Sequence, residues 1–160
     1  MLGIKLICVG KMREKHYIAA FEEYAKRLGA YCRFETAELP EARLPERPSE
    51  KEIEAALERE SAEIRRLIPK GASTVAMCIE GERFSSGALE GYLAGKAAYG
   101  ESRLCFIVGG SFGLHESVKN SAGLRLSMSD MTFPHHLARV MLSEQLYRAL
   151  SINEGSSYHK

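Results

Sequence analysis

Three segments of this sequence place glycine, hydroxyl or sulfur-containing residues directly after apolar runs, and such residues commonly line small-molecule sites. The segments are residues 77–81 (MCIEG), 107–113 (IVGGSFG) and 127–134 (SMSDMTFP). A glycine that follows a strand lets the backbone approach a ligand closely, because no Cβ intervenes. In open α/β sheets, ligands bind beyond the carboxyl ends of the strands, where such loops lie. The three segments therefore predict one small-molecule cleft.

The same segments do not match the common nucleotide-binding fingerprints. Gly109 and Gly110, followed by Gly113, do not form the G-x-G-x-x-G pattern, and the chain contains no G-x-x-x-x-G-K-[ST] pattern. The two adjacent glycines are also typical of a tight turn. Met128 and Met131 are as typical of a core as of a ligand wall. The residues alone thus predict a cleft and leave its ligand open.

His135 and His136 are the residues that would first suggest a metal site. Neighbouring positions on a helix point about 100° apart, so the two imidazoles cannot readily face one ion. No cysteine or carboxylate cluster accompanies them, unlike the H-E-x-x-H pattern of zinc enzymes. No Ser/His/Asp or Cys/His pattern stands out in the local sequence either. We therefore expect no bound metal.

Composition indicates a folded protein that does not bind its partners by charge alone. The 160 residues, 45% hydrophobic and 27% charged, predict a single domain over residues 1–160. The net charge is +1, whereas a protein that binds nucleic acid mainly by charge is usually far more basic. No apolar run approaches the roughly 20 residues that span a bilayer. We expect no membrane partner.

Cysteine usage predicts a reducing compartment. The four cysteines are Cys8, Cys32, Cys78 and Cys105, and no two of them have C-x-x-C spacing. Three lie in apolar, strand-like runs, and we interpret all four as buried reduced thiols. The short N-terminal apolar run is followed by charge, unlike a secretory signal. These features predict a cytoplasmic protein.

Strand-like and helix-like patterns alternate along the whole chain. Ser49 with Glu52 three residues later forms the capping-box pattern of a helix start, and Pro134 is typical of the first turn of the last helix. This order predicts one α/β domain with a mainly parallel sheet. The predicted strands are Gly3–Val9, 31–39, 74–79, 104–108 and 124–128, and the predicted helices are Lys15–Leu28, one from residue 49, one around 89–98 and one from residue 134.

The second half of the chain resembles a known family. The runs VGGSFGLHESV (108–118) and LSMSDMTFPHHLARVMLSEQLYRALSI (126–152), with YHK at 158–160, are similar to the RlmH family of ribosomal RNA pseudouridine N3-methyltransferases, part of the SPOUT superfamily. The N-terminal IKLICVGKMREKHY and the length also fit. The resemblance implies a SPOUT-type α/β fold with helices on both faces of the sheet, a C-terminal trefoil knot and a homodimer. It also implies methylation of N3 of a pseudouridine in 23S ribosomal RNA, within an assembled ribosome.

The resemblance further implies that S-adenosyl-L-methionine binds in the three segments described above. The implied cofactor-binding residues are Met77, Gly109, Met128, Ser129, Asp130, Met131, Thr132 and Phe133. Family members commonly carry lysine where this chain has Asp130. If the loop recognises the cofactor through its backbone, the exchange is unimportant. If the Asp130 side chain faces RNA phosphate, it would weaken the attraction between the loop and the RNA.

The candidate catalytic residues, all in the C-terminal segment, are Tyr158, His159 and Arg139; the alternative is a frayed tail, with Tyr147 and Arg148 as dimer contacts. Tyr158 would stack on the target base, and His159 would polarise or deprotonate it. Arg139 and Arg148 lie nine positions apart on the last helix and so face different directions. In one interpretation, one of these arginines contacts RNA phosphate and the other contacts Glu144 or a dimer partner.

The role of the basic residues after the first strand and the class of function each have alternative interpretations. Lys11, Arg13, Lys15 and His16 follow the first strand and would either extend an RNA surface or simply begin an exposed helix. A non-catalytic RNA-binding or ribosome-assembly factor with the same fold is a competing interpretation. A Rossmann-type methyltransferase is a third one, but it needs a glycine-rich loop after the first strand, where this chain has only Gly10.

Overall fold

The computed structural model describes residues 1–159, which form five strands, five α-helices and one short 3-10 helix. The strands are β1 (Gly3–Val9), β2 (Arg33–Leu39), β3 (Ser73–Arg83), β4 (Arg103–Val108) and β5 (Leu124–Ser127). The α-helices are α1 (Lys15–Leu28), α2 (Glu50–Leu67), α3 (Ser86–Ala98), α4 (Glu116–Ser121) and α5 (His135–Asn153), and the 3-10 helix is Ser157–His159. Strands and helices alternate, as the sequence predicts.

The five strands form one sheet in the order β2-β1-β4-β3-β5, and every neighbouring pair is parallel. The predicted parallel sheet is therefore confirmed. All carboxyl ends of the strands meet at one edge of such a sheet. Two of the three chemically distinctive segments lie in loops that leave the sheet at this edge, and the third, 77–81, lies within β3.

Helices cover both faces of the sheet, as predicted. On β1, Leu6 and Cys8 pack with α1, α3 and α5, whereas Ile7 and Val9 pack with α2 and α4. Successive side chains of a strand point to opposite faces, so a strand covered on both sides must be apolar throughout. This explains why Gly3–Val9 carries a nearly continuous apolar run rather than an alternating one.

Local signals in the sequence account for several helix boundaries. The hydroxyl of Ser49 accepts a hydrogen bond from the Glu52 amide at 3.2 Å, and the Glu52 carboxylate accepts one from the Ser49 amide at 3.0 Å. The predicted capping box is thus confirmed, and it satisfies two amides that the helix itself leaves without partners. Helix α1 spans Lys15–Leu28, as predicted, and Gly29 is its C-cap. Pro134 lies one position earlier than expected, as the N-cap of α5.

Strand β3 differs most from the prediction. It extends to Arg83 rather than ending near residue 79, and its pairing with β5 shifts register between Met77 and Glu82. Met77 therefore lies within β3, at the start of a bulge, and not at a strand end. A Cβ at Gly81 would lie 2.8 Å from the backbone nitrogen of Leu126, so the bulge packs backbone against backbone at a position that admits only glycine.

The cysteine prediction is largely confirmed. Cys8, Cys32 and Cys105 are buried free thiols, and burial raises their pKa, to about 12 for Cys8. Cys78 is only partly buried, because it lies in the bulge of β3. Within residues 1–159, no helix has the length and apolar character that a membrane crossing requires.

Candidate functional site

The three distinctive segments converge on one cavity of about 830 Å³ at the carboxyl edge of the sheet. The bulge of β3, the loop after β4, the loop after β5 and the start of α5 form its walls. Its volume lies in the usual range for small-molecule sites, roughly 300–1,000 Å³. The predicted residues that line it are Met77, Gly109, Met128, Ser129, Met131, Thr132 and Phe133.

The glycines after β4 form a tight turn and a cavity wall together. A Cβ at Gly109 would lie 2.5 Å from the carbonyl carbon of Gly113, so only glycine permits this approach. Gly110 and Gly113 form an isolated bridge that closes the turn. The carboxylate of Glu41 accepts a hydrogen bond from the Ser111 amide at 2.7 Å, which fixes the turn to the segment after β2. These glycines therefore form a tight turn and also allow the backbone to approach a ligand, so the two interpretations are compatible.

Hydroxyl groups hold the loop after β5. The buried Ser127 donates to the carbonyl of Ser129 at 3.0 Å, and the Ser129 hydroxyl accepts from the Met131 amide at 3.0 Å. This short-range network leaves the Met131 side chain 73% exposed at the cavity. The loop is therefore shaped by its own hydrogen bonds, with apolar side chains left available for a ligand.

Asp130 is the one predicted cofactor-binding residue that does not line the cavity. Its carboxylate pairs with the guanidinium of Arg83 at 2.6 Å, and both side chains are largely exposed. The Asp130 side chain therefore links the loop after β5 to the end of β3 on the outer side. Any contact of this residue with a cofactor would have to come from its backbone.

The titratable groups around the cavity are paired or favour the neutral form. Lys119 and Glu80 both line the cavity and form an ion pair with each other, which lowers the pKa of Glu80. His135 also lines the cavity. Burial, and then the neighbouring His136, lower the pKa of His135 and favour the neutral imidazole. The lining thus presents no unpaired lysine or arginine within the described chain.

A second cavity of about 530 Å³ adjoins the first. Both share walls formed by Met77, Leu126, Ser127 and Met128. The second cavity opens between α1, α3 and α5, where Glu144 is one of its polar lining residues. A ligand in the larger cavity would therefore lie only one layer of side chains away from this groove.

The predicted catalytic tail packs along α5 and does not line the larger cavity. The Tyr158 hydroxyl donates to the Glu144 carboxylate at 3.2 Å, and the Arg148 guanidinium lies 4.8 Å from the Tyr158 ring centre. Nδ1 of His159 lies 3.4 Å from Nη1 of Arg148. Burial, followed by hydrogen bonding to Tyr24 and the charge of Glu144, raises the pKa of Tyr158 to about 12. Lys160, the last residue of the tail motif, lies outside the described residues.

Arg139 is not placed where it can contact RNA phosphate. Its side chain is only 2% exposed, Nη1 donates to the Glu38 carboxylate at 2.5 Å, and Nη2 donates to the Gly10 carbonyl at 2.7 Å. The guanidinium is enclosed, so a catalytic role of Arg139 or its contact with RNA stays a prediction that would require this ion pair to open. Arg148 pairs with Glu144 at 2.5 Å, which is one of the two roles considered for the arginines.

The two adjacent histidines face different partners. The ring of His135 borders the cavity, whereas Nδ1 of His136 lies 3.0 Å from the Glu14 carboxylate. Within residues 1–159, no group of three histidine, cysteine or acidic side chains is arranged to hold a metal ion.

Sequence reasoning did not assign a site role to several cavity residues. His135 was considered only as a metal ligand, although its position directly after Pro134 places it at the loop where α5 begins. Cys78 lies in the predicted segment 77–81 but was interpreted only as a buried thiol, and Lys119 carries no local signal, because an unpredicted six-residue helix brings it to the cavity.

Comparison with known proteins identifies the family. Residues 2–159 match the model of the family described as "Predicted SPOUT methyltransferase". This chain belongs to the SPOUT methyltransferase family. Within the family it is 44% identical over 160 residues to the "Ribosomal RNA large subunit methyltransferase H" of Moorella thermoacetica, with 100% of both chains covered. It is also 42% identical over 159 residues to the protein of the same name from Clostridioides difficile, covering 99% of this chain and 100% of that one.

The resemblance to the RlmH family is thereby confirmed over the full described chain. A solved structure, titled as a probable methylase family protein from Haemophilus influenzae, has a TM-score of 0.53 and 11% identity, covering 98% of this chain and 70% of that one. At this identity the similarity concerns the fold alone. It agrees with the α/β architecture of a SPOUT methyltransferase.

Proposed function

We propose that this SPOUT methyltransferase uses S-adenosyl-L-methionine to methylate N3 of a pseudouridine in the 23S RNA of the large ribosomal subunit. The observation that carries the proposal is the convergence of the three predicted cofactor segments on one cavity. The full-length similarity to proteins named ribosomal RNA large subunit methyltransferase H supports the RNA substrate.

The residues of the larger cavity fit the proposed cofactor. The Gly109–Gly113 turn is a backbone cradle that a side chain at Gly109 would fill. Met77, Met128 and Phe133 would enclose an adenine ring, and backbone groups of the loops would contact its polar edge. A neutral His135 avoids repulsion of a sulfonium charge. When bound, the cofactor supplies an activated methyl group.

The residues of the chain would then contribute alignment and proton removal. N3–H of pseudouridine is weakly acidic, so its proton needs an acceptor or the developing oxyanion needs a donor. We propose that Tyr158 stacks on the target base and that His159 accepts or polarises the proton. Holding the base in line with the methyl group contributes on the order of 7–11 kcal/mol of barrier reduction.

A homodimer is part of the proposal, because one chain alone separates the tail from the cavity. Ala138 lines the cavity, whereas Arg148, which contacts Tyr158 and His159, lies about 15 Å further along α5. A second subunit would bring its tail to the cavity of the first. We also propose the C-terminal trefoil knot, a single domain over residues 1–160, a cytoplasmic location and an assembled ribosomal particle as substrate. The knot and the ribosomal substrate are implied by the resemblance, the single domain by the length and composition, and the location by the cysteine usage. Light scattering would test the dimer.

The decisive experiment is mass spectrometry of 23S RNA from cells that lack this gene. We expect one pseudouridine to lose its methyl group and purified protein with S-adenosyl-L-methionine to restore it on large subunits or ribosomes. RNA with every methyl group intact would refute the proposal. Calorimetry with S-adenosyl-L-methionine separates the enzyme from a non-catalytic assembly factor, which need not bind it.

The role of the tail requires its own variants. We expect Tyr158→Ala, or removal of residues 158–160, to abolish methylation while S-adenosyl-L-methionine still binds. Tyr99→Ala is a matched control, because Tyr99 is 89% exposed and lies outside both cavities. Turnover at the wild-type rate by the deletion variant would exclude a catalytic tail.

A further inference from the structure

The loop between β1 and α1 concentrates positive charge on a chain that is nearly neutral overall. We name residues 11–15 (KMREK), which include the first residue of α1, the basic loop. Its cations Lys11, Arg13 and Lys15 are exposed, and none of them forms an ion pair within the described residues. The only carboxylate of the loop, Glu14, is already engaged, because it lies 3.0 Å from Nδ1 of His136. The loop therefore presents three free cations to solvent.

The basic loop flanks the larger cavity. It follows the carboxyl end of β1, at the same edge of the sheet as the cavity walls. A Cβ at Gly10 would lie 3.3 Å from Nε2 of His135, and His135 lines the cavity. Lys11, the first of the three cations, thus directly follows Gly10, which lies against His135 in the cavity wall.

A partly buried charged network holds the basic loop in place. The Gly10 carbonyl accepts from Nη2 of Arg139 at 2.7 Å, and the Met12 amide donates to the Glu38 carboxylate at 3.1 Å. Glu38 also accepts from Nη1 of Arg139 at 2.5 Å, so one ion pair binds the loop backbone at two points. Met12 is itself buried, which anchors the loop between its exposed cations.

The network also keeps the carboxylate of Glu38 from cancelling the charge of the basic loop. Partial burial opposes ionisation of Glu38, but the Met12 amide, Arg139 and, to a smaller extent, the charge of Lys11 outweigh this effect, and the pKa of Glu38 is lowered. Glu38 is therefore ionised at neutral pH, and its charge is matched by Arg139. Arg139 is the direct partner of Glu38, and a buried charge left without its partner is costly, so the pair stays formed. The cations of the loop remain available for an external anion.

We propose that the basic loop binds the phosphate backbone of the RNA beside the target nucleotide, and that Arg139 acts as the positioning residue of this loop. The inference rests on the proposed function, which supplies RNA as the polyanion. Phosphate contacts fix register without reading sequence, which suits an enzyme whose specificity comes from the shape of its particle. Arg139 thereby influences RNA binding without touching RNA.

The salt dependence of RNA affinity tests the proposal. Each phosphate neutralised on a single strand contributes about 0.7 to the slope of log affinity against log salt, so Lys11→Ser/Arg13→Ser/Lys15→Ser should reduce the slope by about 2. The probe is a fluorescent 20-nucleotide single-stranded RNA titrated between 50 and 200 mM salt. The matched control is Lys26→Ser/Arg59→Ser/Lys70→Ser. These three cations are also exposed and without ion pairs in residues 1–159, and they lie outside both cavities.

The outcomes separate the basic loop from the proposed function. Affinity for S-adenosyl-L-methionine, measured by calorimetry, should stay at the wild-type value in both triple variants. An unchanged slope in the loop variant, or an equal fall in the control, would overturn the inference even if wild-type protein methylates RNA. Absence of methylation by the wild type would instead refute the proposed function and leave the slope measurement interpretable.

The positioning role of Arg139 needs a readout that a general loss of stability would not move. Arg139→Met should lower the salt slope towards that of the loop variant, and Arg139→Lys, which keeps the charge, should recover part of it. Glu38→Gln provides a second route to the same loop and keeps an acceptor for the Met12 amide. If folded Arg139→Met and Glu38→Gln proteins both retain the wild-type slope, the positioning role is excluded.

Discussion

Replacement of Gly109 by alanine would test whether the turn after β4 forms the cofactor site. The added Cβ would lie 2.5 Å from the carbonyl carbon of Gly113, whereas ordinary contacts begin near 3.4 Å. Both partners are backbone, so no side-chain rotation relieves the contact. The turn must open by about 1 Å, and it can do so only by moving a wall of the cavity.

The size of the effect follows from this geometry. Overpacking of a well-packed site costs roughly 1–3 kcal/mol, and a contact between backbones belongs at the upper end of that range. We expect Gly109→Ala to lower the free energy of unfolding by about 3 kcal/mol. Its affinity for S-adenosyl-L-methionine should fall at least tenfold, or about 1.4 kcal/mol. Urea unfolding and titration calorimetry measure the two quantities separately.

Gly110→Ala is the matched control for this experiment. A Cβ there would approach the carboxylate of Glu41 at 2.7 Å, but the end of a side chain can rotate away, with loss of the one hydrogen bond that it accepts from the Ser111 amide. We therefore expect it to lower the free energy of unfolding by less than about 1 kcal/mol. Wild-type affinity in a folded Gly109→Ala protein would refute the cofactor role of the turn. Equal losses of affinity in the two variants would show that the backbone clash is not the cause.

Three further predictions concern the charged and titratable groups. Glu38→Gln should lower the free energy of unfolding by about 1–2 kcal/mol at pH 7, a discounted value because the carboxylate is 38% exposed. Because the pKa of Glu38 is lower in the folded protein than its ordinary 4.5, the stabilising contribution of its carboxylate is present above pH 4.5 and is lost as the pH falls through the folded-state pKa. Urea unfolding at acid pH should therefore show no difference in stability between Glu38→Gln and the wild type. Glu35→Gln on the same strand should change stability by less than about 0.5 kcal/mol. In a spectrophotometric titration Tyr158 should ionise near pH 12, because its pKa is raised to about 12. The neutral phenol therefore contributes fully to the stability of the folded protein below pH 10, and this contribution is lost as the pH rises through 12. Glu144→Gln should shift the titration downward, and a midpoint near 10 in the wild type would contradict the packed tail. Cys78 should be the first thiol alkylated in the folded protein, and S-adenosyl-L-methionine should slow its alkylation, whereas equal rates with and without the cofactor would place the ligand elsewhere.

Much of the fold can be predicted from local sequence, because the relevant forces act over a few residues. The apolar run Gly3–Val9 predicts a strand buried on both faces, and the structure confirms it. Ser49 and Glu52 satisfy each other's backbone amides within one turn, so the start of α2 needs no tertiary contact. The segments after β4 and β5 are likewise recognisable from residue types alone, and the family resemblance supplies their ligand.

Tertiary structure decided the features that depend on residues far apart in the chain. Arg139 has the sequence context of an ordinary helical arginine, and only the approach of β2 and the loop after β1 makes it a buried anchor. The bulge that places Cys78 in the cavity arises from a register shift against β5, which no local pattern encodes. The direction of Asp130 is set by Arg83, 47 positions earlier. Hydrophobic periodicity and capping patterns depend only on residues a few positions apart in the sequence. The contacts of Arg139, Cys78 and Asp130 form only after the sheet has brought distant segments together.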